Sequence, residues 1–444
     1  MTIFDDILPI TAEVLNDQRD KIAQLEWLLV NRDLTGRVRF IAPNQYRENE
    51  TRRADVESVY QSLSKRLAPH AYSTDVGILY EASREVACQG ASHYRLDGLD
   101  NVWVVDRLAT EANWVRIEPE TKGIPRIVFF SIKGGVGRST ALAATAWSLA
   151  QAGKRVLVLD LDLESPGLSS SLLPPERQPK YGITDWMVED LVGNTDVVLD
   201  SMIATSNLSH DGEIHVVPAH GADPGEYTAK LGRVWMPKVR TDGERETWPA
   251  RLERLLQALE GRVQPDVVLI DSRSGIDEIA SACITGMGTK LILLFALEGE
   301  QTWNGYLMLF KQWLRAGVVR EIRDRLQVVG ATVPELNRIE YLTELREHSY
   351  KIFVDTLYDE IAPTKAGLGP DGAWQVENPS TGWNFDEADE CAPHYPWAVN
   401  WHRSFAGLRS LHGRLSNIDP KEIDSIFGPL LNGVKNILDS RETS

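Results

Sequence analysis

From Arg126 onward the sequence alternates regularly between short runs that are apolar on both faces and helical stretches, with no internal sequence repeat. "RIVFFS" (126–131) opens the series, and "RVLVLDLD" (155–162), "EIHVVPA" (213–219), "DVVLIDS" (266–272), "KLILLFAL" (290–297) and "LQVVGAT" (326–332) continue it. A strand with no polar face must be covered on both sides. The arrangement that does this is a mostly parallel sheet with helices on either face. The expected fold class is therefore α/β.

With 444 residues the chain exceeds what one core organises, and two or three domains are expected. Residues 1–122 read as a small α/β domain of unassigned role. In it "AEVLNDQRDKIAQLEWLLVNR" (12–32) places Val14, Leu15, Ile22, Leu25 and Leu28 at helical spacing. "RVRFIA", "DVGILYEA" and "NVWVVDRL" read as strands, "ADVESVYQSLSKRL" as a helix, and "TKGIP" (121–125) as a linker. Residues 126–444 read as the second domain, with a helical and loop insertion at about 335–396. The 362–396 part of that insertion holds five prolines, four glycines and many acids. "WAVNW" and "SFAGLRSLHGRL" are expected to add a last strand and helix. In the final segment Ile423, Ile426, Phe427, Leu430, Leu431, Val434, Ile437 and Leu438 share one helical face.

Chemistry concentrates in "SIKGGVGRST" (131–140), between the first strand and its helix. Consecutive backbone N–H groups in such a turn, with the positive end of the helix behind them, suit phosphate. Gly134, Gly135 and Gly137 let the backbone approach oxygens with no Cβ in the way. Ser139 can place its hydroxyl on Mg2+, and Thr140 can contact a phosphate oxygen. Against the general pattern G-x-x-x-x-G-K-[ST], Ile132 replaces the first glycine and Arg138 the lysine. A Gly-rich turn that binds nothing is disfavoured, because strand, turn, helix and Ser-Thr occur together.

"KGGVGRST" resembles the deviant phosphate loop of the ParA/MinD superfamily of P-loop ATPases, usually KGGVGK[ST]. "RVLVLDLD" resembles that family's second strand and switch I, and "VVLIDSRSGID" its Walker B strand and switch II. "LILLFALEGEQTWNGYLMLF" resembles the strand and helix that follow. The resemblance implies a P-loop NTPase sheet, ATP and Mg2+ as ligands, and ATP hydrolysis, which the departure at Arg138 is expected to make slow. It assigns Gly134, Gly135, Val136, Gly137, Arg138, Ser139, Thr140 and Gly275 to the nucleotide, and Ser139, Asp160 and Asp271 to the metal. Asp162 would orient the attacking water. Lys133 would reach the nucleotide of a second copy, so that ATP holds a homodimer together. An acid that ends a strand can also merely cap a loop; three beside one loop weigh against that reading. Arginine at 138 keeps charge and donors, but its planar fork is not equivalent to a lysine ammonium.

Absences narrow the family function. Three cysteines, Cys88, Cys283 and Cys391, form no CxxC, which disfavours iron–sulfur carriers. Six scattered methionines give no methionine-rich groove, and the tail "NILDSRETS" has no tyrosine cluster. The last helix carries mixed charge, so packing on a core is favoured over a membrane surface. No run is long enough to span a bilayer, and Met1–Ile10 has no basic stretch of a secretory signal, so a cytoplasmic protein is expected. A net charge of −17 argues against broad coating of DNA. Two cationic sets remain as candidates for it: Arg315, Arg320, Arg323 and Arg325, and Lys230, Arg233, Lys238 and Arg240. The expected function is an ATP-dependent switch toward a protein partner in segregation, positioning or antiviral defence. A DNA-associated partition-type ATPase and a non-hydrolysing ATP-held module are the alternatives.

Overall fold

The computed structural model describes residues 2–108, 113–208, 211–240, 242–360, 366–368, 374–376, 382–405 and 411–440. The chain divides into two compact units, Met1–Arg116 with Gln312–Val318, and Ile117–Lys311 with Val319–Ser444.

The first unit holds α1 (Ile7–Asp17), β1 (Leu28–Arg32), β2 (Val38–Pro43), α2 (Glu50–Leu67), β3 (Ile78–Glu81), β4 (Ser92–Arg95) and β5 (Val102–Asp106). Its sheet has the order β3-β2-β1-β5-β4, with β1 parallel to β5 and antiparallel to β2. Val14, Leu15, Val56, Tyr60 and Leu63 of the two helices pack on Val30, Phe40 and Val104. The helical spacing expected through Leu28 fails beyond Ile22, where the helical turn Arg19–Ile22 ends. Leu28 instead starts β1, whose five residues are all buried. Pairing on both sides, Leu29 with Ile41 and with Trp103, decides the matter, because a central strand gains two ladders that no local periodicity reveals.

The second unit is built on β6 (Arg126–Ser131), α3 (Arg138–Gln151), β7 (Arg155–Asp160), β8 (Ala204–Thr205), β9 (Glu213–Val217), β10 (Val267–Asp271), β11 (Leu291–Ala296), β12 (Leu326–Val333), α4 (Arg338–Thr356), β13 (Trp397–Asn400) and α5 (Pro420–Asp439). The sheet runs β13-β12-β11-β6-β10-β7-β9-β8, parallel throughout except for the short antiparallel edge strand β8. β6, β10 and β11 are buried at every residue, as their unbroken apolar runs require. The expected mixed α/β fold with a mostly parallel, helix-flanked sheet is therefore present.

α3 is small-residue helix wrapped on all sides: Ala141, Ala143, Ala144, Ala146 and Ala150 are buried with Leu142 and Leu149. That slimness lets α5 lie close, and α5 sends Ile423, Ile426, Phe427, Leu430, Leu431 and Val434 into the same core. Each such side chain contributes about 1.5–3 kcal/mol of burial. The apolar stripe of the last helix is thus a core stripe. No helix among the described residues is long and apolar enough to cross a membrane.

In the 335–396 block, α4 ends at Thr356. Much of the Pro- and Gly-rich stretch lies outside the described residues; "AGL" (366–368) and "WQV" (374–376) pair as a two-stranded hairpin. Of "SFAGLRSLHGRL", the helix Leu411–Leu415 is described, and residues 406–410 lie outside the described set.

Candidate nucleotide-binding site

The seven parallel strands, β6, β7 and β9 to β13, end on one edge of the sheet, and the loop 131–137 lies there between β6 and α3. Its turn needs left-handed backbone at Gly135 (φ 74°) and Gly137 (φ 81°), a region that costs a side chain roughly 1–2 kcal/mol. A Cβ at Gly135 would meet nothing within 4 Å, so that position needs glycine for its backbone and leaves open space above it. Gly137 caps α3. Val136 is buried and anchors the loop in the core. Ile132, the departure at the first glycine, has a packing role: a Cβ on Gly305 of the helix Glu300–Ala316 would come within 2.4 Å of its Cγ2. Lys133 and Gly134 are exposed, and no hydrogen bond or ion pair holds the Lys133 side chain among the described residues.

Two acids face each other at the strand ends. β7 and β10 pair in register so that Asp160 lies directly beside Asp271. Both are buried, at 0% and 1% exposure. Asp160 accepts three backbone N–H groups, from Asp162 at 3.3 Å, Gly167 at 3.3 Å and Leu168 at 3.1 Å, and so shapes the loop after β7. Burial, then the charges of Asp271 and Asp162, push its carboxyl up to about 7. Asp162 lies two residues beyond the strand end and accepts from the Ser165 N–H at 3.3 Å. Burial raises its pKa as well; Arg138 opposes that, Asp271 adds to it, and Arg273 opposes it more weakly.

Arg138 joins these groups. Its Nε donates to Asp271 Oδ1 at 2.6 Å, Nη1 to Ser131 Oγ at 3.0 Å and Nη2 to Asp162 Oδ2 at 3.3 Å. Its side chain is 8% exposed. Burial alone would lower its pKa, but Asp271, Asp162 and Asp160 outweigh that and raise it. The second oxygen of Asp271 takes the Ser139 hydroxyl at 2.5 Å. The guanidinium therefore faces carboxylates rather than the open space over the glycines. Thr140 follows in the first turn of α3 and is half-buried. Gly275 (φ 96°) donates its N–H to the Ser131 carbonyl at 2.9 Å. That donor is occupied here and must let go before it can meet any other acceptor.

The structure thus brings Arg138, Ser139, Asp160, Asp162, Asp271 and Gly275 together at one strand edge, with Lys133 on the exposed rim. Sequence reasoning passed over Ser131, Arg273, Glu164 and Tyr227. Ser131 supplies its hydroxyl to Arg138 and its carbonyl to Gly275. Arg273 pairs with Glu164 and, at 3.2 Å, with Asp277. Tyr227 donates to the Leu163 carbonyl at 2.5 Å and so props the loop after β7. An arginine two residues past a strand-ending acid, as in "DSRSG", is the signal that could have flagged Arg273.

Among the described residues no group of three or more His, Cys, Asp or Glu is arranged to hold a metal. Mg2+ keeps several waters and draws other oxygens from phosphates, needing only one or two protein oxygens. Ser139 and the adjacent carboxylates are oxygen donors of that kind.

The sequence profile described as "CobQ/CobB/MinD/ParA nucleotide binding domain" matches residues 127–421. The chain belongs to this family. The chain is 47% identical over 53 residues to a protein named putative arsenical pump-driving ATPase 1 from Aquifex aeolicus (strain VF5). That match spans 12% of this chain and 13% of the relative, so the chain covers about an eighth of the relative's length. Among solved structures it is similar to pNOB8 ParA bound to nonspecific DNA, at 15% identity and a TM-score of 0.43, covering 72% of this chain and 99% of that one. It is also similar to cobyrinic acid a,c-diamide synthase from Mycobacterium smegmatis with bound ADP and magnesium, at 20% identity and a TM-score of 0.35, covering 54% and 86%.

Outside the nucleotide-binding site, several members of the two cationic sets have partners within the fold. Arg323 makes a two-pronged pair with Asp359 and stacks on Trp383; Arg320 lies 3.6 Å from the same carboxylate. Arg325 donates to the Glu118 carbonyl. Lys230 sits on Asp185 and Lys238 on Asp190, while Arg233 donates to the Ala229 carbonyl and Arg240 pairs with Asp242. His394 is fully buried. Its ring bonds Tyr358 and the Glu387 carbonyl, inside a cluster with Tyr350 and Phe353. In the acidic "NFDEADE", Glu387 pairs with Arg346.

Proposed function

We propose that this chain is a MinD/ParA-like ATPase that binds ATP with Mg2+, forms a homodimer around the nucleotide and acts as a switch toward a protein partner. The observation that carries this reading is the open glycine turn at Gly135 and Gly137 with Asp160, Asp162 and Asp271 converging beside it. Backbone N–H groups from Gly134 to Ser139 would hold the phosphates. Ser139, with Asp271 behind it and Asp160 alongside, would hold the metal, which supplies charge neutralisation on the phosphates. Asp162 would orient water for attack. Lys133, free at the rim, is suited to meet a nucleotide carried by a second copy. The grip of Arg138 on Asp271 and Asp162 supports slow turnover: those carboxylates must be released before they can serve metal and water.

DNA is not favoured as the partner, because most of the candidate cations already hold carboxylates or carbonyls of this chain.

Light scattering on the full chain with Mg2+ tests the reading. The expected result is a monomer with ADP, a dimer with ATP, and a longer-lived ATP dimer for Asp162→Ala. One unchanged mass in every state overturns it.

A further inference from the structure

A second arginine stands at the strand edge where Arg138 holds its carboxylates. Arg273 is held beside the site by the loop that leaves β10. It follows Asp271 by two residues and precedes Gly275 by two. The intervening Ser274 lies against the phosphate turn, where a Cβ on Gly134 would come 3.4 Å from its Oγ. The Arg273 side chain is 33% exposed. One guanidinium nitrogen pairs with Glu164, on the loop after β7, and another with Asp277 at 3.2 Å. Both pairs are partly open to solvent. Glu164 is 41% exposed, and the Asp277 oxygen in question forms no hydrogen bond although Asp277 caps the helix Glu278–Ser281 through its other oxygen.

We propose that Arg273 is a phosphate-contacting arginine that leaves Glu164 for the terminal phosphate of a bound triphosphate. The proposal rests on the reading of the chain as a nucleotide switch and names the residue that tells ATP from ADP. The physical basis is a competition. A half-exposed arginine–carboxylate pair contributes little, because solvent screens it. A terminal phosphate offers more negative charge and two-oxygen geometry that suits the guanidinium fork. ADP lacks that group and leaves the arginine on Glu164. Since Glu164 belongs to the loop of Asp162, and Arg273 to the loop of Gly275, the exchange releases the first loop from the second only when the triphosphate is present. An arginine in this place also meets charge that grows on the phosphoryl group during transfer.

The test is binding of fluorescent ADP and of a non-hydrolysable ATP analogue to the full chain with Mg2+, for wild type, Arg273→Gln, Arg273→Lys and Glu164→Gln. Arg273→Gln is expected to weaken the ATP analogue by about tenfold while ADP stays within about twofold, since only charge-assisted bonds to the terminal phosphate are lost. Arg273→Lys should fall between. Glu164→Gln, which frees the arginine, should tighten the analogue by about two- to fivefold and leave ADP alone. Equal losses for both nucleotides in Arg273→Gln, or a Glu164→Gln variant that loses analogue affinity as Arg273→Gln does, would assign the arginine to loop structure and overturn the proposal. A wild type that binds both nucleotides, with a preference that Arg273→Gln retains, removes Arg273 alone. A wild type that binds neither removes the switch reading with it.

Discussion

Replacing Arg138 with methionine keeps most of its volume and removes its charge, and the structure sets the size of the effect. The guanidinium lies 2.6 Å from Asp271 and 3.3 Å from Asp162, with 8% of the side chain exposed. Asp271 is 1% exposed and stands in register with Asp160 on the next strand. Opposite charges about 4 Å apart interact by about 4 kcal/mol at an effective dielectric near 20. Stripping one partner from a buried pair costs about 3–5 kcal/mol by direct measurement in other proteins. The two routes agree on about 3–4 kcal/mol for the nucleotide-free protein. At about 2–4 °C per kcal/mol, the melting transition of the second unit should drop by roughly 6–16 °C. Arg138→Lys keeps the charge and loses two donors, so its drop should be about half as large. Scanning calorimetry without nucleotide reads both. Asp271→Asn on the methionine background should return part of the loss, with a coupling of about 2 kcal/mol in the double-mutant cycle. A methionine variant that melts within about 1 °C of wild type would show that the pair does not hold the free protein together. Arg138→Lys speaks to the same geometry through binding. If the arginine serves carboxylates, the lysine variant should bind ADP within about threefold of wild type, whereas a hundredfold loss would place the guanidinium on phosphate.

Two further outcomes follow from the geometry. Gly137→Ala puts a side chain at φ 81° where the nearest foreign atom, Thr332 Cγ2, is a comfortable 3.6 Å away, so the cost is backbone strain alone. It should remove about 1–2 kcal/mol of stability and weaken both ADP and ATP together, read by denaturant unfolding and by titration. Burial, opposed by the Glu387 carbonyl and by the Asp389 and Glu387 charges, holds the His394 imidazole below its usual value of 6.5. A neutral form favoured in the fold contributes fully above that value, and its contribution is lost as pH falls from 6.5 toward the lower folded pKa. Wild type should therefore lose more of its melting temperature between about pH 7.5 and pH 5.5 than His394→Gln does; equal slopes would refute the assignment.

The sheet was legible because it is written locally. Runs such as "RIVFFS" and "DVVLIDS" can only be satisfied inside a covered parallel sheet, and the glycines of the turn are demanded by backbone angles that sequence can announce. The burial of the last helix was legible for the same reason, since its stripe of apolar residues is continuous. Leu28 was not, because β1 is made a strand by partners some ten and seventy residues away, and local spacing carries no record of them.

The partners of Arg138 were hidden in a different way. The motif announced a cation at that position, and a cation beside a glycine turn suggests phosphate. What the motif could not announce is the register of β7 against β10, which sets Asp160 and Asp271 side by side and creates a concentration of negative charge within reach of a long, forked side chain. A lysine ammonium is a point charge that one phosphate or one carboxylate can satisfy, whereas a guanidinium can bridge several acceptors at once. At residue 138 it bridges Ser131, Asp162 and Asp271, so the first strand, the loop after the second and the end of the Walker-type strand are tied by one residue. Arginine here does more than stand in for lysine: it gives the converging carboxylates an internal counter-charge. Any ligand that recruits those carboxylates has to displace that bridge first.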